Sequence, residues 1–244
     1  MTRSAQPAEF LDPGGLTLVE HAPPVLSPRE RSEVDRLWEE TRARNPATFD
    51  GPLVASLTVD QRVAGRLVVG WAPMTYRHRA LRRLRPPERV PGSVFVTALL
   101  PTEEGIVIGR GSAVTAAPGR WTLPGGAAEP PPSGMPLDTE VLRKHAAREL
   151  AEETGVLVAD AELRLWGLTR GRRFGSLGFH FLCPPTSAGL VRRRWAGLSA
   201  APSTGHDDVP ELDALAFVPA PSRADLHGPT ADYLPQVLDR YFEA

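Results

Sequence analysis

The stretch of this chain best equipped for chemistry is Arg148-Glu149-Leu150-Ala151-Glu152-Glu153-Thr154-Gly155-Val156. On a helix, Glu149, Glu152 and Glu153 stand at i, i+3 and i+4 and project three carboxylates from one face. Such a cluster repels itself, and folding alone gives no reason to accept it. A hard divalent cation removes the conflict, because Mg²⁺ takes carboxylate, water and phosphate oxygens in octahedral geometry. Arg148 can pair with Glu152 one turn on, or brace the neighbouring acids. Upstream, Leu123-Pro124-Gly125-Gly126 follows a strand-like run, and paired glycines let backbone approach a metal or phosphate closely. The reaction class that fits is metal-assisted attack of water on a phosphoanhydride. Taken alone, the glutamates read equally well as a solvated acidic helix face. The succession of strand, Gly-Gly loop and helix is what favours a site.

Positioning these groups takes a helix that stops at Gly155 and a strand that delivers the glycines. The helix is predicted over 138–154, with Leu142, Ala146 and Leu150 at core-facing spacing. Strands are expected at 94–100, 106–108, 121–123, 163–168, 179–183 and 215–218, and a closing helix at 231–242. Leu234, Val237, Leu238 and Tyr241 mark the buried face of that last helix. Earlier in the chain, Ser27-Pro28-Arg29-Glu30 has the residues of a capping box and opens a helix carrying Val34, Leu37 and Trp38, ending near Asn45-Pro46. A hairpin should follow over 53–59 and 62–71 with its turn at Asp60-Gln61, then a short basic helix over 75–84. Residues 1–26 hold one short strand at most, and 127–136 and 198–202 read as loops. The organisation expected is α/β: an N-terminal α+β extension over 1–91 packing on a core over 92–244.

Composition narrows the function classes. The chain has 244 residues, 41% hydrophobic and 23% charged, enough apolar material for a packed core. Lys and Arg total 28 against 29 Asp and Glu, a net charge of -1, which argues against nucleic-acid coating and polybasic membrane binding. One cysteine, Cys183, excludes a disulfide scaffold or a thiolate-rich zinc site and fits a reducing compartment. No apolar signal-like segment stands near Met1, so a cytoplasmic protein is the expectation. Oligomeric state, a homodimer included, stays open.

The glutamate segment resembles the Nudix box, G-x5-E-x7-R-E-U-x-E-E-x-G-U with U apolar. Every position from Arg148 to Val156 matches, and Glu140 stands the required distance before Arg148. Gly134 satisfies the first glycine literally. Gly126 resembles the glycine that closes the preceding strand, which implies an insertion around 130–136. The resemblance implies a Nudix α/β/α sandwich over roughly 92–244 and Mg²⁺-dependent cleavage of a nucleoside diphosphate derivative, with Mn²⁺ able to substitute. It implies Glu149, Glu152 and Glu153 as metal ligands, Glu149 also acting on the attacking water, and a carbonyl of Gly125 or Gly126 completing the site. A finer similarity is to the UDP-glucose pyrophosphatase branch. It rests on 124–130, on Trp38-Glu39-Glu40, on Phe49-Asp50-Gly51-Pro52 and on Thr75-Tyr76-Arg77, in that spacing. It implies a UDP-hexose cleaved to UMP and a hexose 1-phosphate. The sequence departs from that branch at His78-Arg79-Ala80-Leu81, where an acidic residue and a Gly-Thr pair are expected.

A further acid is expected from the late loop 205–211, with Glu211 preferred over Asp207 and Asp208. Arg170, Arg172 and Arg173 in one turn, and Arg77 with its neighbours to Arg85, are candidate diphosphate clamps, since arginine binds phosphate bidentately. For any one of them a solvated surface role is the stronger reading. Tyr76, Trp166 and Phe174 could stack on a base, though strand aromatics usually serve the core. His145, His180 and Cys183 read as structural. The box reports the chemistry and not the leaving group. ADP-ribose, dinucleoside polyphosphates, coenzyme A derivatives and a non-catalytic ligand sensor therefore remain alternatives to a UDP-sugar.

Overall fold

The computed structural model describes residues 7–11, 14–46, 48–63, 65–199, 210–220 and 228–243. An eight-stranded mixed sheet dominates it. Its strands are β1 (Glu9–Leu11), β2 (Leu16–Glu20), β3 (Pro52–Val63), β4 (Arg66–Thr75), β5 (Gly92–Leu99), β9 (Gly125–Ala127), β10 (Arg164–Arg170) and β11 (Leu177–Leu182). The order is β1-β10-β11-β5-β3-β4-β2, with β9 paired to β5. A second sheet holds β6 (Pro101–Thr102), β7 (Gly105–Gly111), β8 (Trp121–Thr122) and β12 (Leu212–Val218).

Alternation along β5 explains how the layers stack. Val94, Val96 and Ala98 face helix α3 (Thr139–Thr154) and pack with its Leu142, Ala146 and Leu150. Phe95 and Leu99 face the other way, toward Leu234, Val237 and Leu238 of α5 (Leu234–Glu243). Period-two alternation puts an apolar set on each side of the strand, so helices cover both faces in an α/β/α arrangement. Asp138 caps α3 by accepting from the Val141 amide at 2.8 Å. Gly155, at φ 71°, ends it in the left-handed turn that glycine alone takes without strain.

Residues before 92 are woven into the sheet. β1 forms one edge against β10, and β3, β4 and β2 extend the other end beyond β5. Helix α1 (Pro28–Arg44) closes a third core, where Val34 packs with Leu53, Met74, Leu81 and Val90. Its capping box forms as predicted: the Glu30 amide donates to Ser27 Oγ and the Ser27 amide to Glu30 Oε2. Arg85 adds a 2.7 Å bond to Glu30, and the Arg85, Ser27 and backbone contacts hold that carboxyl down at about 2.

Residues 1–26 hold two strands, β1 and β2, where one at most was expected, because each finds a sheet edge to pair with, β10 and β4. Three further sequence expectations are corrected. The hairpin turn lies after Val63, at Gly65 with φ 72°, and not at Asp60-Gln61. The strands absorb Asp60 and Gln61 through a bulge between Asp60 and Val63, and glycine accepts the positive φ of the turn. The basic segment is a 3₁₀ turn over Tyr76–Ala80 followed by one α turn, α2 (Leu81–Leu84), rather than a continuous helix. Leu198 and Ser199 end a helix, α4 (Ala188–Ser199), where a loop was expected. The first amide of α4 donates to Glu103, 85 residues away, at 3.0 Å. A cap supplied from so far along the chain leaves no local signature.

His180 and Cys183 are buried, as read from the sequence. His180 sits between Thr97 Oγ1, 2.7 Å from Nδ1, and Thr169 Oγ1, 2.8 Å from Nε2. Burial pushes its imidazole down to about 3, against about 6.5 in an unfolded chain. Between those values the unfolded chain binds a proton that the native state refuses, so stability falls as pH drops from about 6.5 toward 3. The urea midpoint should decline over pH 6.5 to 4, and His180→Gln should flatten that decline. An identical slope in both proteins would refute the assignment.

Candidate active site

Helix α3 carries Arg148, Glu149, Glu152 and Glu153, with Leu142, Ala146 and Leu150 fully buried beneath it. This anchored stripe fixes the rotation of the helix and aims the glutamates at β9. Glu153 is only 8% exposed, and its Oε2 accepts from the Gly125 amide at 2.8 Å. Gly125 has φ 154°, and a Cβ there would collide with the Val96 carbonyl of β5. A Cβ on Gly126 would overlap the Glu149 carboxylate. The glycine pair is therefore the condition for the helix and β9 to approach this closely. Gly134 turns through φ 84° with open space around it, so Gly126, and not Gly134, is the glycine that meets the acids.

Arg148 spreads across three carboxylates: Glu129 at 2.8 Å, Glu149 at 3.4 Å and Glu152 at 3.8 Å. Glu129 was not singled out by the sequence, although it lies in the Pro-Gly-Gly motif. Glu211 stands at the head of β12, where its carbonyl accepts from the Ser112 amide at 2.8 Å. Burial raises the Glu149 carboxyl to about 7, and repulsion from Glu152 and Glu211 adds to it against the pull of Arg148. Burial likewise lifts Glu153 well above the carboxylate range, with Glu149, Glu211 and Glu152 repelling its charge and the Gly125 amide opposing. Glu211 is exposed as a residue, yet its carboxyl is raised by the protein around it and by Glu152. Four acids thus share one field with a single arginine among them.

A divalent cation fits this donor set, which consists of hard oxygens carrying negative charge in excess. In the present side-chain positions, no three acidic, His or Cys groups among the described residues converge tightly enough to grip an ion. Glu152 leans to Arg148 and Glu153 to the Gly125 amide. Glutamate has rotatable bonds enough to turn, at a cost of about 1 kcal/mol in side-chain entropy.

The other candidates lie elsewhere. Arg77 is held by Asp50 at 2.5 Å and Asp35 at 3.1 Å. Arg170, Arg172 and Arg173 line a cavity of about 470 Å³ with Glu9, Glu88 and Phe174, and Arg172 donates to the Pro7 carbonyl at 3.0 Å. Among the described residues no hydrogen bond or ion pair joins Arg77, Arg170 or Arg172 to the carboxylates of α3. Asp207 and Asp208 lie outside the described residues. Trp166 packs edge-on against Phe10, 5.5 Å between ring centres, and His145 accepts from the Glu129 amide at 3.3 Å, both structural roles. Tyr233, which the sequence did not flag, hydrogen-bonds Thr122 just before the glycines, and Glu153 and Asp232 act on its hydroxyl.

The model of the NUDIX domain matches residues 91–220, and the chain belongs to that family. In class it is a Nudix pyrophosphohydrolase. Comparison with curated sequences returned no match. Among solved structures, the chain resembles the MutT protein from Methanosarcina mazei Go1 at 18% identity, covering 62% of this chain and 93% of that one, with a TM-score of 0.42. It also resembles a bifunctional NMN adenylyltransferase/ADP ribose pyrophosphatase from Francisella tularensis, complexed with AMP and a Mn ion. That match has 16% identity, covers 68% and 45% of the two chains, and has a TM-score of 0.44. The NUDIX domain of Shewanella oneidensis NrtR, complexed with ADP ribose, matches at 20% identity over 62% and 87%, with a TM-score of 0.40.

The two glycines should respond differently to alanine. At Gly126 the obstacle is the far end of a flexible side chain, so Gly126→Ala should unfold within a few degrees of wild type while weakening Mn²⁺ binding at least tenfold. At Gly125 the obstacle is backbone, and Gly125→Ala should cost more than about 2 kcal/mol. Thermal unfolding with Mn²⁺ titration separates the two. Unchanged metal affinity in Gly126→Ala would remove Glu149 from the site.

Proposed function

We propose that the protein is a Mg²⁺-dependent hydrolase of nucleoside diphosphate derivatives, with Mn²⁺ able to replace Mg²⁺. In this reading a UDP-sugar is its substrate, and UMP and a sugar 1-phosphate are its products. The observation that carries the reaction type is the gathering of Glu149, Glu152, Glu153 and Glu211 beside the Gly125-Gly126 backbone, with burial and repulsion raising the carboxyls of Glu149, Glu153 and Glu211. Glu152 and Glu153 would serve as metal ligands together with Glu149, and the bound cation would neutralise charge on the diphosphate. Glu149 would orient a water and take its proton, and Arg148, 3.4 Å away, would steady the Glu149 carboxylate from the side. Water adds its oxygen to one phosphorus, the bridging P–O bond breaks, and the bridging oxygen leaves with the second phosphate. Glu211 supplies the late-loop carboxylate.

Support for the UDP-sugar substrate is that the motifs shared with that branch form one physical unit. The Tyr76 amide donates to the Gly51 carbonyl at 2.9 Å, the Arg77 amide to Asp50 Oδ1 at 2.7 Å, and Trp38 lies edge-on to Tyr76. ADP-ribose is the second reading, because two of the structural neighbours are described with it in their names. The division at 91/92, Arg77, Arg170 and Arg172 as phosphate contacts, and a cytoplasmic setting without nucleic-acid partners belong to the same proposal. Among the described residues no helix is long and apolar enough to cross a membrane.

Purified protein with Mg²⁺ should release UMP from UDP-glucose or UDP-galactose in preference to ADP-ribose, diadenosine polyphosphate and coenzyme A. Glu153→Gln should lower turnover at least about 100-fold. Turnover of another compound keeps the mechanism and discards the UDP-sugar. No turnover with either metal, together with undiminished ligand binding in Glu153→Gln, would make the protein a sensor.

A further inference from the structure

A cavity of about 380 Å³ lies away from the glutamates, between α1, the turn and helix over 76–84, and the loop 112–120 that joins β7 to β8. Five arginines line it, Arg77, Arg79, Arg82, Arg83 and Arg120, and no acidic side chain does. Two of the five are balanced from outside: Arg77 by Asp35 and Asp50, and Arg83 by Glu40 at 3.5 Å. Among the described residues, Arg79, Arg82 and Arg120 make no ion pair with a carboxylate. Arg79 lies over the Tyr76 ring, 4.7 Å from its centre, with its Nε buried and lacking an acceptor. Arg82 reaches no carboxylate among the described residues: it donates to the hydroxyls of Ser93 at 3.2 Å and Ser176 at 3.4 Å and lies over the Phe174 ring, 4.9 Å from its centre. Burial, with Arg79 and Arg173 nearby, lowers it to about 10.

Like charges gathered in a half-buried concavity cost free energy unless an anion answers them. The other cavity shows the contrast: there Glu9 and Glu88 stand among the arginines, and Arg172 is tied to a carbonyl. We infer that the arginine cavity is a second anion site, built for a diphosphate or an equally charged phosphate ligand, with Arg79, Arg82 and Arg120 as its contacts. None of its lining residues belongs to the carboxylate cluster, so it binds without metal. The loop 112–120 gives it a link to that cluster. The Ser112 amide at one end of the loop donates to the Glu211 carbonyl, Val114 accepts from Asn45, the C-cap of α1, at 3.0 Å, and Ala116, Ala117 and Arg120 form the cavity wall.

The test is calorimetric titration of the full chain with inorganic pyrophosphate in EDTA, so that metal-dependent binding at the glutamates is silent. One site of sub-millimolar affinity is expected, weakening steeply as NaCl rises and retained in Glu153→Gln. Arg120→Gln, at an exposed position where folding is not at stake, should weaken it at least tenfold, as should Arg79→Met. Displacement of pyrophosphate by UDP-glucose would identify the anion as the diphosphate of a nucleotide; resistance to displacement would identify a free inorganic or small phosphate. No binding in EDTA, or binding unaffected by both arginine variants, would overturn the proposal. Binding lost in Glu153→Gln would overturn it as well, by assigning the anion to the carboxylate site.

Discussion

The rest of the structure depends on how closely helix α3 and strand β9 approach. Glutamates spaced three and four residues apart stand roughly 5–6 Å from one another. At an effective dielectric of about 20, each fully charged pair at that distance costs on the order of 3 kcal/mol. The fold adds to this cost by burying Glu153 and crowding Glu149 against backbone. Among the described residues, one amide, Gly125, and one guanidinium, Arg148, answer the charge directly. Concentrated negative charge that the protein leaves unresolved is what a cation and a phosphate group can exploit, and that is the opposite of what stability selects.

The sheet exists around that approach. β5 is its centre: one face carries α3, the other α5, and its edge receives β9 with Thr97 opposite Gly125 and Val96 opposite Gly126. Sliding this register by one residue would move Gly126 away from Glu149 and put a side chain in its place. The residues before 92 supply both ends of the same sheet, β1 against the last three residues of β10 and β3 against Gly92 and Ser93 of β5.

What was legible in the sequence was local. A Ser-Pro-x-Glu start, an apolar stripe under three glutamates and a glycine at a helix end are short-range signals, and α1 and α3 follow them within a residue. The acids, the glycine pair and Glu211 carried their chemistry in residue type, and the fold brings them together. What was hidden is non-local. Glu129 meets Arg148 across 19 residues, Tyr233 reaches Thr122 across 111, and Glu103 caps α4 across 85. The arginines of 77–85 and of 170–173 looked alike as sequence. They differ in which acids the fold sets beside them: Asp35 and Asp50 for Arg77 and, among the described residues, none in an ion pair with Arg79 or Arg82.

That difference bears on how the two charged regions relate. The carboxylate cluster and the arginine cavity are opposite in sign, and one loop touches both, through Ser112 at the Glu211 carbonyl and through Arg120 at the cavity wall. β7 and β8 fix the ends of that loop, with Gly109 against Thr122 and Arg110 against Trp121, while its Val114 carbonyl accepts from Asn45, the C-cap of α1. An anion drawn in by Arg79, Arg82 and Arg120 would therefore press on the segment that sets where the Glu211 backbone lies. Any coupling carried by this loop would be reciprocal: an occupant of the carboxylates would alter the affinity of the cavity by the same factor as the reverse.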